Sequence, residues 1–485
     1  MDTDISLSLV SHTNVGKTTL ARTLLWRDVG EVRDAPHVTE FSDTHELLRA
    51  PDGSGLMLWD TPGFGDSVRL VRRLRQAGNP LGWFLSEVWD RWRDRPFWAS
   101  QQVLRHVREH SDVLLYLVNA AEPPAAAGYV AAEMELLAWV GKPVLVLLNQ
   151  IGAPQPVAAE AAERQAWVDH LARWPLVRGV LPLDAFARCW VQEGALWRAV
   201  HDALPVHRRA AMAALQRHWW QQRLQVFQDS MAVQARGLAT LALHREALDG
   251  AGHPLRRLGA ALGLDRAGDD ALAAARGRLA ERLDAEGRAG TDALLRLHGL
   301  AGSAGPLVLQ RVDGLFRPHL KVDESRAAWA GGLVSGALGG LAADLAAGGL
   351  TLGAGVLAGG LLGVLGGAGA ARGLNVVRGT RHSWVALGPA ALQPLLQATL
   401  LRYLAVAHFG RGRGDWAEGE APPHWADAVA RALALDLPAL QAAWDQAATA
   451  GAPAALAGRL QPLLADCTRR VLQDLYPGAW WAQPE

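Results

Sequence analysis

The chain of 485 residues is long enough for two to four domains with sizeable hydrophobic cores. Its 48 basic and 48 acidic side chains balance, so no overall positive field favours nucleic acid as a partner. The two cysteines, Cys189 and Cys467, give no disulfide framework and no metal-ligand spacing, which indicates a reducing, cytoplasmic setting. Because the N-terminus has no basic region and no long apolar run, we expect no signal peptide.

The first motif is a phosphate-binding loop. The apolar run from Ile5 to Val10 leads into a tight loop and then a helical segment, and Ser11 stands where the first glycine of a P-loop usually does. The backbone N–H groups of such a loop cradle phosphate oxygens, while Lys17 would reach the β- and γ-phosphates and Thr18 would hold Mg²⁺. The predicted nucleotide-binding residues here are Ser11, His12, Thr13, Asn14, Val15, Gly16, Lys17, Thr18 and Thr19.

A second motif supplies candidate metal and switch residues. A short apolar strand ends at Asp60, and a carboxylate at that place beside a P-loop is expected to make a water-mediated contact with Mg²⁺. Gly63 leaves its N–H free to meet a γ-phosphate and lets the chain move when that phosphate leaves. Between the two motifs, Thr39 is the candidate switch threonine that closes over Mg²⁺ and takes part in catalysis with Lys17; the alternative is an ordinary loop threonine.

A third motif follows the apolar run Pro143–Leu148 and reads Asn149-Gln150-Ile151-Gly152. The order P-loop, loop threonine, Asp-Thr-Pro-Gly and this motif resembles the translation-factor-related class of GTPases, nearest its Era-like branch, over residues 4–190. The full layout also resembles a bacterial family of GTPases fused to a C-terminal helical domain of unknown function. The resemblance implies an α/β P-loop G domain with a mixed, mostly parallel sheet and helices on both faces. It also implies GTP or GDP as the ligand, with Mg²⁺.

The chain departs from this class at the base-reading motif. Asn149 and Gln150 fit, but Gly152 replaces the aspartate that accepts hydrogen bonds from guanine, which is expected to weaken guanine preference. Asp184 ends the next apolar strand, and together with Ala185 it is the candidate substitute. Selectivity for GTP over ATP therefore rests mostly on the resemblance.

A second departure concerns catalysis. Phe64 follows Gly63, where a water-positioning glutamine would otherwise stand. Some members of the class use a P-loop asparagine to bind K⁺ in place of an arginine finger, and Asn14 occupies that position; the alternative is an amide that caps the loop. We therefore expect a slow Mg²⁺-dependent GTPase accelerated by a partner, a cation or self-assembly, although hydrolysis itself stays open.

The composition divides the chain into four parts. Residues 1–205 alternate short strands and helices, as expected for the G domain, with a Trp-rich insertion at 66–111 after the switch glycine. That insertion is either a partner surface or a helix that buries its own tryptophans. Residues 206–326 and 372–485 are predicted to be helical and, with the segment between them, to form a large all-α region.

The segment 327–371 has a distinct composition: among its 45 residues, 28 are Gly or Ala and one is charged. Glycines recur every fourth residue, a spacing that allows helices to pack closely in a bilayer. We expect a helical hairpin that associates with lipid at the cytoplasmic face of the inner membrane or mediates self-assembly; the alternative is a soluble hairpin packed inside the helical domain. Basic residues flank both ends: Arg317, Lys321, Arg326, Arg372, Arg378 and Arg381.

Three functions are compatible with these patterns. The first is a GTP-dependent switch with a membrane-associating helical domain, which accounts for both the P-loop and the 327–371 segment. The second is a soluble GTPase that governs assembly of a protein or ribonucleoprotein complex, although no RNA-binding module is visible and no nucleic acid is expected as a partner. The third is a nucleotide-binding scaffold that hydrolyses little.

Overall fold

The structure, a computed structural model, describes residues 4–25, 43–64, 66–75, 95–151, 155–185, 189–247, 266–300, 374–378, 383–388, 391–409, 423–450 and 452–477. Several predicted features lie outside these ranges: Thr39, Gly152, the 327–371 segment, and three of the four tryptophans of 66–111. The chain divides into two compact units, the first mainly Met1–Leu224 and the second mainly Gln225–Ala407 with Trp416–Leu475. Each is described by itself.

A six-stranded sheet organises the first unit. Its strands are β1 (Ile5–Ser11), β2 (Asp43–Arg49), β3 (Gly55–Asp60), β4 (Val113–Asn119), β5 (Val144–Asn149) and β6 (Val177–Pro182). The strand order is β2-β3-β1-β4-β5-β6, and β2 is antiparallel to β3 while all other pairs are parallel. This mixed, mostly parallel sheet confirms the fold class predicted from the sequence.

The central strands are apolar along nearly their whole length because both faces of the sheet are covered. In β4 the six residues from Val113 to Val118 are fully buried, and β5 is buried throughout. The register pairs Asn119 with Asn149 and Ser11 with Leu117, so the carboxyl ends of β1, β4 and β5 meet at one edge. Loops that follow these strands are therefore brought together there.

The helices of the first unit follow the strands in chain order. They are α1 (Lys17–Leu25), α2 (Ser67–Leu74), α3 (Arg95–His110), α4 (Gly128–Val140), α5 (Val157–Leu171) and α6 (Trp190–Ala203). Two of them, α2 and α3, lie within the predicted insertion at 66–111. The Asp66 side chain accepts a hydrogen bond from the Arg69 backbone N–H at 3.0 Å and begins α2, while α4 ends at Gly141, whose φ is +77°.

A long helix, α7 (Val206–Leu243), contains the boundary between the two units, which falls after Leu224. Within the first unit, its initial turns pack against α6 through tryptophan rings. The Trp190 and Trp220 centroids are 5.4 Å apart, and those of Trp197 and Trp219 are 6.5 Å apart. All four rings are buried, which fits amphipathic packing.

The second unit is mostly helical, as predicted, and contains the rest of α7 with α8 (Arg266–Leu297), α9 (Leu392–Ala407), α10 (Pro423–Ala450) and α11 (Pro453–Leu475). It also holds a three-stranded antiparallel sheet that the sequence analysis missed. Its strands are β7 (Glu246–Ala247), β8 (Leu374–Arg378) and β9 (Ser383–Leu387), in the order β7-β9-β8. The β-branched Val376, Val377 and Val385 favour strand over helix at this point.

Polar groups lie inside the second unit as well as apolar ones. Arg402 of α9 donates to the Gly287 carbonyl oxygen at 3.2 Å and to the Gln234 side chain, and burial lowers its pKa to about 10. Gln234 in turn donates to the Thr399 carbonyl oxygen at 2.6 Å. None of the described helices combines the length and the hydropathy needed to cross a bilayer.

In the first unit, His106 lies in a buried polar cluster. Its Nε2 is 3.1 Å from the Ser8 hydroxyl, which also contacts the Ser111 hydroxyl at 2.6 Å, and its ring packs on Trp59 at 4.5 Å between centroids. Burial, followed by the nearby His110, lowers the pKa of His106 to about 4. The imidazole is therefore neutral at neutral pH.

We expect acidification to destabilise the protein through His106. The unfolded chain binds a proton on this histidine below its ordinary pKa of 6.5, whereas the folded chain does so only near 4. Between these values stability falls as the pH falls. One pKa unit corresponds to about 1.4 kcal/mol, and solvent near the ring reduces the effect, so we expect a loss of about 1–2 kcal/mol.

Urea denaturation of the full chain at pH 7 and pH 4.5 measures this contribution. His106→Gln should lose less stability over the interval than the wild type. His110→Gln is the matched control, because it changes the exposed histidine one turn further along α3 and should retain nearly the wild-type dependence on pH. Equal losses in wild type and His106→Gln would contradict the assignment.

Candidate nucleotide-binding site

The loop after β1 has the backbone shape that a phosphate cradle requires. Asn14 and Gly16 have φ values of +64° and +90°, which turn the chain from the strand into α1. A Cβ atom on Gly16 would lie 2.9 Å from the Asn149 side-chain nitrogen, so only glycine fits there. The Leu20 N–H donates to the Gly16 carbonyl oxygen at 2.9 Å and closes the first turn of α1.

Lys17 is held inside this loop. Its ammonium group donates to the Ser11 hydroxyl at 3.0 Å, and that hydroxyl donates to the His12 carbonyl oxygen at 2.5 Å. Ser11, which departs from the usual glycine, is therefore the residue that orients the lysine. Burial lowers the pKa of Lys17, while the carboxyl groups of Asp60 and Glu133 act in the opposite direction. A phosphate ligand would add negative charge beside this ammonium group.

Thr18 and Asp60 form the candidate Mg²⁺ site. The Thr18 hydroxyl donates to Asp60 Oδ2 at 2.5 Å, and Asp60 is 3% exposed at the end of β3. A hydroxyl and a carboxylate are hard oxygen ligands that suit Mg²⁺, so the two residues fit the ion. They would hold it, and the ion would supply charge neutralisation of the phosphates. Thr39, the third predicted ligand, lies outside the described residues.

The segment after β3 lies directly against the P-loop. A Cβ atom on Gly63 would lie 2.9 Å from the Thr13 Cα, so the two backbones are in van der Waals contact. The Phe64 N–H donates to the Ser11 carbonyl oxygen at 2.9 Å, and its side chain is fully buried in the core with Val10. Phe64 therefore fixes the segment to the protein interior instead of orienting a water molecule.

The residues predicted to face the nucleotide base, here called the base-side residues, are Asn149, Gln150, Asp184 and Ala185. Hydrogen bonds join members of this group to the P-loop and to the turn after Asn149. The Asn149 amide donates to the Val15 carbonyl oxygen at 2.7 Å, and its oxygen accepts from the Ala185 N–H at 2.8 Å. Asp184 accepts from the Ile151 N–H at 2.7 Å and is 3% exposed. The structure thus uses Asp184 to hold the turn after Asn149, where Gln150 adopts a φ of +59°.

The predicted residues that lie within described ranges come together at the carboxyl edge of the sheet. The P-loop comprises Ser11–Thr18, and Thr19 follows on the first turn of α1. On one side of the loop lie Asp60 and Gly63. On the other side lie Asn149, Asp184 and Ala185. The structure therefore brings the predicted residues together; that they bind a nucleotide, and the role of each in binding, stays a prediction.

Sequence reasoning missed one group, the carboxyl of Glu133 on α4. It is fully buried, accepts hydrogen bonds from His12 and Tyr116, and influences the pKa of Lys17. The one signal in the sequence was a glutamate among apolar residues at helical spacing, between Val130 and Leu137. That pattern does not say which loop the carboxyl meets.

The solved structures that this chain matches include two of Era. One is a variant from Aquifex aeolicus bound to GDP·AlF4⁻, and the other is a complex with MgGDPNP and nucleotides 1506–1542 of 16S ribosomal RNA. Each is 17% identical over 42% of this chain, with a TM-score of 0.31. This chain spans 57% of the length of each Era chain. No curated protein matches it.

Two family models match the sequence. Residues 6–150 match the model described as 50S ribosome-binding GTPase, and residues 170–461 match the Domain of unknown function (DUF3482). The second match covers more than half of the chain, and the first covers the P-loop and nearly all of strands β1–β5 but ends before β6. These matches confirm the predicted resemblance. The chain therefore belongs to the DUF3482 family and carries that domain C-terminal to the region that matches the 50S ribosome-binding GTPase model.

Proposed function

We propose that this protein binds GTP with Mg²⁺ at the P-loop and hydrolyses it slowly, so that the bound nucleotide acts as a switch. One observation carries the proposal: Lys17 is buried in a loop that Asn149 joins to the base-side turn, with Thr18 and Asp60 beside it. Burial of the Lys17 ammonium group is unfavourable for stability, since a buried charge loses its contacts with water. Phosphate groups are the ligand that uses it best.

Slow turnover follows from the residue after Gly63. With Phe64 buried in the core, this position supplies no group to orient the attacking water. Lys17 and Mg²⁺ would still stabilise charge on the phosphates, which is where most of the catalysis of phosphoryl transfer arises. An additional cation, a partner or self-assembly would have to supply the remainder.

Guanine preference rests on the turn that Asn149 and Asp184 build. Asn149 is fixed by two hydrogen bonds, which keeps its amide at the base side of the P-loop. Because Asp184 bonds the Ile151 N–H, its carboxyl is committed in part to the turn. We therefore propose a preference for GTP that is weaker than a dedicated guanine-binding carboxylate would give.

Removing the ammonium group of Lys17 tests the nucleotide site. Lys17→Ala should weaken binding of both GTP and GDP by at least about 100-fold, because charge-assisted bonds to phosphate are lost. Lys142→Ala, which changes the other lysine of the described residues, is the matched control and should bind as the wild type does. Equilibrium binding in Mg²⁺ measures this, with circular dichroism as a check on folding.

Competition between GTP, ATP and XTP in the same assay tests the base. GTP should compete best. Equal competition by all three nucleotides would exclude the guanine preference. In the preceding binding experiment, a Lys17→Ala variant that binds GTP and GDP with wild-type affinity would exclude the site.

Asn14 is the candidate K⁺ ligand. It adopts a left-handed backbone conformation at the exposed side of the P-loop, so its side chain is available to a ligand near the phosphates. We expect kcat for GTP to be several-fold higher in KCl than in NaCl at equal ionic strength, and Asn14→Ala to remove the difference. Equal rates of the wild type in both salts would contradict a role for K⁺.

The 327–371 segment supports membrane association through its composition alone, since it lies outside the described residues. One charge in 45 residues, basic flanks and four-residue glycine spacing occur together. We propose that this segment brings the protein to lipid at the cytoplasmic face of a membrane. The competing function is assembly of a ribonucleoprotein, motivated by the Era complex with 16S ribosomal RNA.

Flotation with anionic phospholipid vesicles tests the membrane proposal. The full chain should float with the vesicles, and a variant lacking 327–371 should remain at the bottom of the gradient while retaining nucleotide binding. A wild-type chain that stays unbound with GDP and with GTP would contradict membrane association. Sedimentation of the chain with ribosomal subunits in place of vesicles would favour the assembly function.

A further inference from the structure

The carboxyl group of Glu133 joins three separate elements. Its Oε1 lies 2.8 Å from His12 Nδ1 of the P-loop and 3.3 Å from the hydroxyl of Ser67, the first residue of α2. Its Oε2 accepts a hydrogen bond from the Tyr116 hydroxyl of β4 at 2.6 Å. Glu133 itself is fully buried on α4. One interior group therefore contacts the P-loop, the helix after Gly63 and the sheet.

The partners of this carboxyl are themselves fixed. Since a carboxylate only accepts, His12 Nδ1 carries the hydrogen, and the His12 ring stacks on Tyr129 with centroids 4.6 Å apart. Burial, and then Glu133, raise the pKa of Tyr116 well above its ordinary value, so the phenol keeps its proton and donates. Ser67 makes the longest of the three contacts.

An apolar side chain would fill this place at lower cost. Burying a carboxyl group is unfavourable unless its hydrogen bonds are all made, and well-packed apolar groups of similar size often stabilise a protein as much or more. Stability alone therefore does not account for Glu133. A buried polar group is best used where it selects one arrangement of the chain over another.

The arrangement that Glu133 selects surrounds the expected position of the γ-phosphate. His12 lies between Ser11, which orients Lys17, and Thr13, which contacts Gly63. On the other side, Ser67 follows Gly63 by four residues. In the same structure Gly63 and Phe64 lie against the P-loop, and the Phe64 N–H donates to the Ser11 carbonyl oxygen; we call this arrangement closed. In this closed arrangement the Gly63 N–H is near the loop that would hold the phosphates.

We propose that Glu133 is a positioning residue that couples the nucleotide to α2: through Ser67 and His12 it stabilises the closed arrangement, in which Gly63 and Phe64 contact the P-loop, and so favours a nucleoside triphosphate over a diphosphate. The inference rests on the proposed function. A diphosphate lacks the group that the Gly63 N–H would meet, so its affinity does not depend on closure. The triphosphate gains from closure, and its affinity depends on Glu133.

The test compares affinities for GDP and for GppNHp, a slowly hydrolysed triphosphate analogue, in Mg²⁺ and with the full chain. Ser67→Ala removes one hydrogen bond, and Glu133→Gln removes the carboxyl while keeping its shape. Each should lower affinity for GppNHp about three- to tenfold more than affinity for GDP, as expected for one buried hydrogen bond. Ser67→Thr keeps a hydroxyl and should restore the wild-type ratio.

The matched control is Ser111→Ala, which removes another buried serine hydroxyl, one that contacts Ser8. It should leave the ratio of the two affinities unchanged even if stability falls. In the Glu133→Gln background, Ser67→Ala should change the ratio no further, because the two act through one contact.

An unchanged or increased preference for GppNHp in Ser67→Ala and Glu133→Gln overturns the inference. So does a variant in which both affinities fall by the same factor, since a purely structural role would give that result. Failure of the proposed function would look different. In that case the wild-type chain would bind neither GDP nor GppNHp, or the Lys17→Ala variant would bind both nucleotides as tightly as the wild type does.

Discussion

Burial of the Lys17 ammonium group is unfavourable, and the groups around it in the candidate nucleotide site offset part of that free energy. The Ser11 hydroxyl accepts one of its hydrogen bonds, while the carboxyl groups of Asp60 and Glu133 oppose the effect of burial on its pKa. Both carboxyl groups are in turn fixed by partners, Asp60 by Thr18 and Glu133 by three donors. A phosphate ligand therefore enters a site in which the positive charge is already oriented, so little reorganisation opposes binding.

The second constraint is the close approach of Gly63 to Thr13. No side chain fits at Gly63, and the next residue, Phe64, anchors the segment in the core. This combination keeps the segment near the phosphates while removing the polar group that usually orients water at that position. Under the proposed function, affinity and catalytic rate would therefore depend on different groups: the P-loop would favour binding, and the hydrolytic step would need groups from elsewhere.

The second unit carries most of the match to the family of unknown function, and its fold alone does not specify a task. Its interior includes a polar connection from Arg402 through Gln234 to the Thr399 carbonyl oxygen, in addition to apolar contacts such as that between Phe227 and Tyr403. Buried polar connections of this kind restrict how helices can pack, since a shifted register would leave hydrogen-bonding groups unsatisfied. The helical unit is therefore specified by polar as well as apolar contacts.

The sequence by itself determined the P-loop, the Asp60–Gly63 motif, the alternating α/β pattern of the first unit and the mostly helical second one. These are local features: strand, loop and helix signals lie within a few residues of each other, and Lys17 and Thr18 need only their own loop to be recognised. Only the tertiary structure decided that Ser11 orients Lys17, that Phe64 is a core residue and that Asp184 holds the turn after Asn149. It also decided that Glu133 meets His12, which is 121 residues away in the chain, and that short strands from residues 246–247, 374–378 and 383–387 form one sheet. Contacts between residues so distant in sequence depend on how strands and helices pack against one another. Local sequence patterns predict the strands and helices but not this packing.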